Sequence, residues 1–357
     1  RISCSMTLAV DAQSHSKEWL FCLAGLLLVL AITACTPRDE AVQLAGSSMG
    51  TTWHVTFVPG EGTPESAALQ AGVEALLEQV NRSMSTYRED SEISRFNAAP
   101  PQTWVDVSAD FIEVLSAALT VGGASDGAYD VTVGPLVDLW GFGPGEAVTA
   151  PPPADSIRQL RRQLGQDRLR MDVDNRRVMK LGDLALDFSS IAKGYAVDRI
   201  ADWMVQQGMD RFLVELGGEM RVAGMSGRGD PWRIAIEQPD SAGRSVARAI
   251  SLTDAAVATS GDYRNFFEKD GERYSHTIDP RTGYPVAHEL VSVTVIHPSA
   301  TLADAWATAL SVLGPEAGMA VARAGGLAVY CITREGRDFR SSHTPAFEPY
   351  LAAAPGN

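Results

Sequence analysis

The order of its hydrophobic periods constrains this chain most. Short alternating runs, the mark of half-buried strands, are broken by several helix-length stretches, and the two kinds do not alternate as repeating β–α–β units. Thr52–Val58 (TWHVTFV) alternates like a strand. Pro64–Met84 reads as a helix, because Val73, Leu76, Leu77, Val80 and Met84 recur at helical spacing. Ser108 is placed to cap a helix carrying Phe111, Leu115, Ala118 and Leu119. Pro151–Pro153 predicts a surface loop, followed by a short helix that Gly165 ends. Arg168–Val173 and Arg177–Leu181 flank Asp174-Asn175 as a hairpin. Leu184–Phe188 reads as a further strand running into a helix over Ser190–Gln207, with Ile191, Tyr195, Ile200 and Met204 as its apolar stripe. Later strands are expected at Phe212–Leu216, Trp232–Glu237, Ala247–Leu252, Tyr274–Ile278, Val291–Ile296 and Leu327–Ile332, and a helix at Leu302–Leu313 ended by Gly314-Pro315. The pattern predicts an α+β fold with largely antiparallel sheets, and no biased linker divides residues 46–345 into smaller units.

The N-terminal region carries a second signal. Trp19–Ala34 (WLFCLAGLLLVLAITA) has no charge. It is shorter than the roughly 20 residues that span a bilayer, and it matches the apolar region of a signal peptide. It ends in Ile32-Thr33-Ala34-Cys35, which resembles a bacterial lipobox. The expectation is a lipoprotein signal peptide over residues 1–34, lipidation of Cys35, and a polar tether over residues 35–45. A lipid anchor would hold the protein to the periplasmic side of the cell membrane, the inner membrane by preference. An uncleaved membrane anchor is the alternative. Removing residues 1–34 takes Arg1, Lys17, Asp11 and Glu18, two of each sign, so the net charge stays at -14. Such a surface argues against a nucleic-acid partner, which needs clustered Lys and Arg. It also means that a polyanionic ligand needs local help from a metal, a basic residue or a helix N-terminus. Cys4 and Cys22 leave with the signal, and Cys331, alone in LAVYCI, is expected to be buried and inert.

Four stretches can carry chemistry, and each has a structural alternative. In LADAWATALSVL (302–313), Asp304 and Thr308 are four apart and share a helix face. Both offer hard oxygens suited to Mg²⁺ or Ca²⁺; the alternative is a dipole-favoured Asp and a Thr bonding its own backbone. In DFSSIAKGYA (187–196), Ser189 and Ser190 can cap a helix whose N–H groups receive phosphate, and Lys193 adds positive charge. The alternative is a plain cap with a surface Lys. Ala258–Pro285 is dense in His, Asp, Arg and Tyr, with His276 before Asp279-Pro280 as a candidate base or a satisfied structural residue. Gly127–Trp140 sets Tyr129 and Asp130 beside a loop, where a flat ligand can stack or where there is only a turn. The glycines of Gly141–Gly145 do not make a phosphate loop, because Pro144 and the prolines that follow preclude the helix such a loop opens. Gly224–Gly227 lacks nucleophile-elbow spacing, and there is no His–x–x–x–His or Cys pair for zinc.

Taken in order, these pieces resemble the ApbE family, the FAD:protein FMN transferases. The matching stretches are Met49–Thr52, MSTYREDSEISRFN from Met84, GAYDVTVGPLVDLWGFG from Gly127, DFSSIAKGYAVD from Asp187, VELGGEM from Val214, ATSGDYRNFF from Ala258, HTIDPRTGYP from His276 and ADAWATAL from Ala303. They cover roughly residues 45–335. The resemblance implies an ApbE-like α+β catalytic domain with FAD as substrate. It also implies Mg²⁺ held by Asp304, Thr308 and backbone oxygens near Ala192 and Ala307. Met49, Tyr87, Ala128, Tyr129, Asp130, Ser189, Tyr195 and Ile278 fall where the family contacts FAD. Ser189 stands where some relatives carry Gly, and Glu219 replaces a smaller or different polar residue. The implied reaction moves FMN from FAD onto a Thr or Ser hydroxyl of an acceptor protein and releases AMP, with His276 accepting the hydroxyl proton. The acceptors implied are flavoprotein subunits of membrane redox complexes, such as sodium-pumping NADH:quinone oxidoreductase. An FAD pyrophosphatase and a non-catalytic FAD-binding lipoprotein are the alternatives.

Overall fold

The computed structural model describes residues 39–145, 148–239, 245–261, 266–269, 271–336 and 338–351. The expected signal segment and Cys35 lie outside them. From Glu40 onward the described residues belong to one unit. Its spine is an eight-stranded sheet: β1 (Val42–Ser48), β2 (Thr51–Phe57), β3 (Phe212–Leu216), β4 (Glu219–Ala223), β5 (Ala255–Gly261), β6 (Leu290–His297), β7 (Ala328–Glu335) and β8 (Asp338–His343). In space they follow the same order, and every neighbouring pair is antiparallel. The α+β class with antiparallel sheet is therefore what the chain adopts. β1 begins inside the segment read as tether, and it pairs with β2 through Met49-Gly50. Both turn residues have positive φ, 51° and 73°, as a right-twisted two-residue hairpin turn requires.

The helices are insertions between strands: α1 (Ser66–Met84), α2 (Glu92–Ala98), α3 (Ala109–Ala124), α4 (Gly134–Leu139), α5 (Ala154–Arg161) and α6 (Ala192–Gln206) between β2 and β3, and α7 (Ala300–Ala324) between β6 and β7. Alternation along β6 divides the core. Val293 and Val295 pack with Ala303, Ala307 and Leu310 of α7, while Ile296, and Val291 beyond a register shift between Leu290 and Ser292, face a second cluster with Trp232, Ile250 and Phe347. The largest cluster joins β2 and β3 to α1, α3 and α6 through Trp53, Val73, Phe111, Phe188 and Ile200. A fourth, around Leu136, Trp140, Ile157 and Ile278, supports α4 and α5. Ser108 caps α3 as expected, accepting from Phe111 N at 3.1 Å. Cys331 is buried against Met319, and burial pushes its thiol up to about 12.

Several expectations need correction. Leu184–Phe188 is extended but makes only a single bridge, Ala185 to Val133. The Asn97 side chain satisfies Leu186 instead, donating to its carbonyl and accepting from its N–H, so no strand partner is needed. Tyr274–Ile278 is not one strand: Glu272–Ser275 and Ile278–Asp279 belong to different hairpins, and Thr277 N donates to Ser275 Oγ at the break. Gly165 does not end α5, which stops at Arg161; with φ 134° it leads into a short 3-10 turn, Gln166–Arg168. Gly314-Pro315 does end the regular helix as expected: Gly314, at φ 79° and ψ -178°, is non-helical, and the rest of the span called α7 is a second helical run beyond it.

Candidate active site

The site begins where the chain leaves Asp187 and turns into α6. Asp187 accepts from Ser189 N at 2.7 Å, which tightens the turn. The serines do not cap the helix: its N-cap is Ile191, without a side-chain cap bond. Ser190 instead meets Tyr129 OH at 3.0 Å and ties the Gly127–Asp130 segment to the junction. The first turn of α6 is already in use. Ala192 N donates to Phe188 O, and Gly194 N donates to Asp304 Oδ2 at 3.0 Å. That helix N-terminus therefore holds a carboxylate of the protein, rather than presenting all its amides to a phosphate.

Asp304 sits on the second turn of α7, 3% exposed, at its crossing with α6. Lys193 Nζ lies 3.9 Å from its carboxylate and 3.0 Å from Glu219 Oε1. Glu219 opens β4 after the Gly217-Gly218 turn, whose φ values of 63° and 108° suit glycine. A Cβ at Gly217 would come within 2.8 Å of Thr51, so this strand connection passes too close for any larger residue. Burial pushes Glu219 up to about 8, against the pull of Lys193. Burial likewise raises Asp304. Burial alone would lower Lys193, but Asp304 and Glu219 more than reverse this and hold its ammonium above the ordinary lysine range.

Two carboxylates thus share one ammonium, and Glu219 Oε2 is buried without a partner among the described residues. Ionising both would leave buried negative charge in excess, which is costly, so a further cation at this cluster would favour the fully ionised form. Thr308, one turn beyond Asp304, offers a hydroxyl 3.3 Å from Ser260 Oγ. Ala192 and Ala307 are buried, and only their carbonyls are available as donors. No cluster of three or more His, Cys, Asp or Glu suited to a metal occurs among the described residues. The available donors, a carboxylate, a hydroxyl and carbonyls, suit a hard cation that draws its other ligands from water and phosphate, which is the habit of Mg²⁺.

Lys193, Glu219, Ser260, Asp304 and Thr308 floor a cleft of about 400 Å³, within the range of small-molecule sites, whereas Ala192 and Ala307 are not in its lining. Tyr87, Ala128, Tyr129, Asp130, Ser189 and Ile278 line it, as do His276, Asp304 and Thr308. Tyr87 is 71% exposed and leaves a ring face open for stacking. His276 meets Phe142 edge-on at 6.3 Å. Two other expected contact residues are not in its lining. Met49 occupies the β1–β2 turn and packs against the main core. Tyr195 is buried, with its hydroxyl 3.4 Å from Glu113. Sequence reasoning left Asp187, Ser260 and Glu219 out of the site. The available signal was their position inside the matching stretches, where Glu219 directly follows a Gly-Gly pair.

The fold and cleft define an α+β protein with a cation-ready, oxygen-lined pocket beneath an aromatic mouth. The profile of the ApbE family matches residues 49–331. A FAD:protein FMN transferase of Vibrio cholerae is 44% identical, covering 94% of this chain and 99% of that protein. Two solved structures agree: flavin transferase ApbE from Vibrio cholerae (TM-score 0.82, 43% identity, 87% of this chain and 99% of that one) and the apo form of Pseudomonas stutzeri flavinyl transferase ApbE (TM-score 0.81, 41% identity, 90% and 99%). The chain belongs to the ApbE family.

Proposed function

We propose that this protein transfers FMN from FAD to a Thr or Ser hydroxyl of an acceptor protein and releases AMP. One observation carries the reading: a buried Lys193–Glu219–Asp304 cluster floors the cleft of a chain that spans 99% of a relative named FAD:protein FMN transferase. Asp304, Thr308 and the carbonyls of Ala192 and Ala307 would hold Mg²⁺, which supplies neutralisation of the pyrophosphate and of the charge growing on AMP. Lys193 adds a fixed ammonium at the same floor. Tyr87, Tyr129 and Ile278 bound the space for the substrate's rings. The apolar wall of Val133, Val137 and Phe142 limits water beside the reacting phosphorus. His276, on the cleft wall, accepts the proton of the acceptor hydroxyl. The hydroxyl oxygen bonds to the FMN-side phosphorus, the bond from that phosphorus to the bridging oxygen breaks, and AMP leaves with that oxygen.

The lipobox-like Ile32–Cys35 supports a further reading, that Cys35 carries a lipid and tethers the enzyme at the periplasmic face of the cell membrane. Flavin-carrying subunits of membrane redox complexes are then acceptors within reach. The transfer is tested by incubating the protein with Mg²⁺ and an acceptor subunit, using FAD or FMN as donor, and looking for flavin that stays with the acceptor on a denaturing gel. FAD should label it, FMN should not, and an acceptor whose hydroxyl residue is replaced by Ala should stay dark. Labelling by FMN, or labelling that ignores the hydroxyl, contradicts the reading.

A further inference from the structure

The stretch DFSSIAKGYAVD ends in Asp198, a residue that does not line the cleft. It lies on α6 four residues beyond Gly194, one turn along the same helix face. Its carboxylate is buried and collects donors from the start of α7: Ser299 Oγ at 2.7 Å, Ala300 N at 2.9 Å, Thr301 N at 2.9 Å and Thr301 Oγ1 at 2.7 Å. Arg221 of β4 adds a bond at 3.0 Å. Ser299, while donating to Asp198, accepts from Leu302 N at 3.3 Å and so caps its own helix. The N-terminal turn of α7 is thus held by a side chain of α6.

The two helices meet again one turn away. A Cβ on Gly194 would lie 2.3 Å from Ala300 O and 2.8 Å from Asp304 Cβ, so the backbones touch there. Gly194 N donates to Asp304 across the same contact. The cation donors divide between these helices: Ala192 belongs to α6, while Asp304, Ala307 and Thr308 belong to α7. A slip of α7 along α6 would separate the two halves of the donor set. Gly194 sets how closely the helices approach, and Asp198 fixes the register of α7.

We propose that Asp198 is a positioning residue for the cation site, holding α7 in register so that Asp304 and Thr308 face the end of α6. The proposal rests on the reading of that floor as a Mg²⁺ site. Its rival is that Asp198 is a helix cap and nothing more. The protein holds a matched comparison in Glu92. Glu92 accepts from Ser108 N at 3.1 Å, Ser108 Oγ at 2.6 Å and Ser83 Oγ at 2.7 Å, tying down the start of α3 away from the cleft. A residue that only stabilises should behave like Glu92.

The test titrates FAD binding to the full chain by calorimetry, over a series of Mg²⁺ concentrations and in EDTA, beside thermal melts. Asp198→Asn keeps the size but turns an NH₂ toward N–H and O–H donors. It should raise the Mg²⁺ concentration for half-maximal tightening of FAD by about ten- to a hundred-fold, the usual effect of losing a partner that orients metal ligands. FAD affinity in EDTA should stay at the parent value. The double variant Ser299→Ala/Thr301→Val keeps the carboxylate, removes two donors, and should shift the Mg²⁺ dependence in the same direction; it decides the question if Asp198→Asn does not fold. Glu92→Gln should lower the melting temperature and leave the Mg²⁺ dependence alone. The proposal is overturned if the Asp198 and Ser299/Thr301 variants keep the parent's Mg²⁺ dependence, or shift it no more than Glu92→Gln does. Asp304→Asn separates the two readings. If it abolishes the Mg²⁺ effect while the Asp198 variant does not, the cation site stands and the positioning role falls. If it leaves the Mg²⁺ effect intact, the cation reading fails and takes this proposal with it.

Discussion

At the scale of single residues, the chemistry of the cleft depends on where charge sits. Asp304 is buried, accepts from Gly194 N, and has Lys193 within 3.9 Å. Asp304→Asn keeps the shape and removes the formal charge that, on the proposed reading, would hold a divalent ion beside an anionic substrate. Loss of metal-assisted charge stabilisation is worth several kcal/mol, here about 3–4 kcal/mol. FMN transfer should slow by roughly a hundred- to a thousand-fold, with partial recovery at high Mg²⁺. Steady-state rates over a Mg²⁺ series measure this, and near-parental turnover would place the metal elsewhere. Asp304 and Thr308 were legible because a four-residue spacing on one helix is a local fact. Glu219 was not, because its partner Lys193 lies on another element and only the docking of β4 against α6 brings them together. Met49 shows the opposite limit: its place in a motif said nothing of the positive-φ turn that it occupies.

At the scale of elements, α7 shows how a sequence stop signal acts. Pro315 has no N–H to give the carbonyl of Ser311, so the residues Gly314-Pro315 read as an end. The first run does end there, at the non-helical Gly314; His288, from outside the helix, donates Nε2–H to that carbonyl at 2.8 Å, and a second helical run follows to Ala324. His288→Ala should therefore cost about 1 kcal/mol in urea unfolding, because a half-buried carbonyl loses its donor. No change would mean that another group satisfies Ser311. The start of α7 carries a pH dependence. Ser299 N donates to His297 Nδ1 at 3.0 Å, so that nitrogen must be unprotonated. Burial lowers the proton affinity of His297 below the ordinary value, against the smaller pulls of the Ser299 backbone, whose carbonyl lies 3.3 Å from Nδ1, and of Asp198. Below about pH 6.5 the unfolded chain takes up a proton that the native ring refuses, so this contribution is full above that value and is lost as pH falls through the lower native pKa. Chemical unfolding at about pH 7 and pH 5 should show a smaller loss of stability in His297→Gln than in the parent. The strand expected at 184–188 failed because Asn97, distant in sequence, supplies the hydrogen bonds that a neighbouring strand would have given.

At the scale of the whole molecule, the alternating runs and the lack of β–α–β regularity were enough for the α+β class and for four of the eight central strands. They could not give the order of the sheet, because periodicity shows which face of a strand is buried and not which strand lies beside it. Nor could they show that residues 58–211, with six helices, form an insertion between two adjacent strands. The reading of Ile32–Cys35 leads to a direct expectation for the membrane-extracted protein. Mass spectrometry should find a mature N-terminus at Cys35 carrying diacylglycerol, and an unmodified chain that starts upstream of residue 30 would contradict it.

The central claim is that the cleft passes FMN to a protein hydroxyl rather than to water or to nothing. It is tested most directly by counting products in one reaction: released AMP and flavin covalently bound to an acceptor subunit, in the presence of FAD and Mg²⁺. Transfer predicts that the two rise together in equal amounts and that both stop when Mg²⁺ is chelated. AMP accompanied by free FMN, with no flavin on the acceptor, would make the protein a pyrophosphatase, and FAD bound without AMP release would make it a carrier; either result contradicts the account.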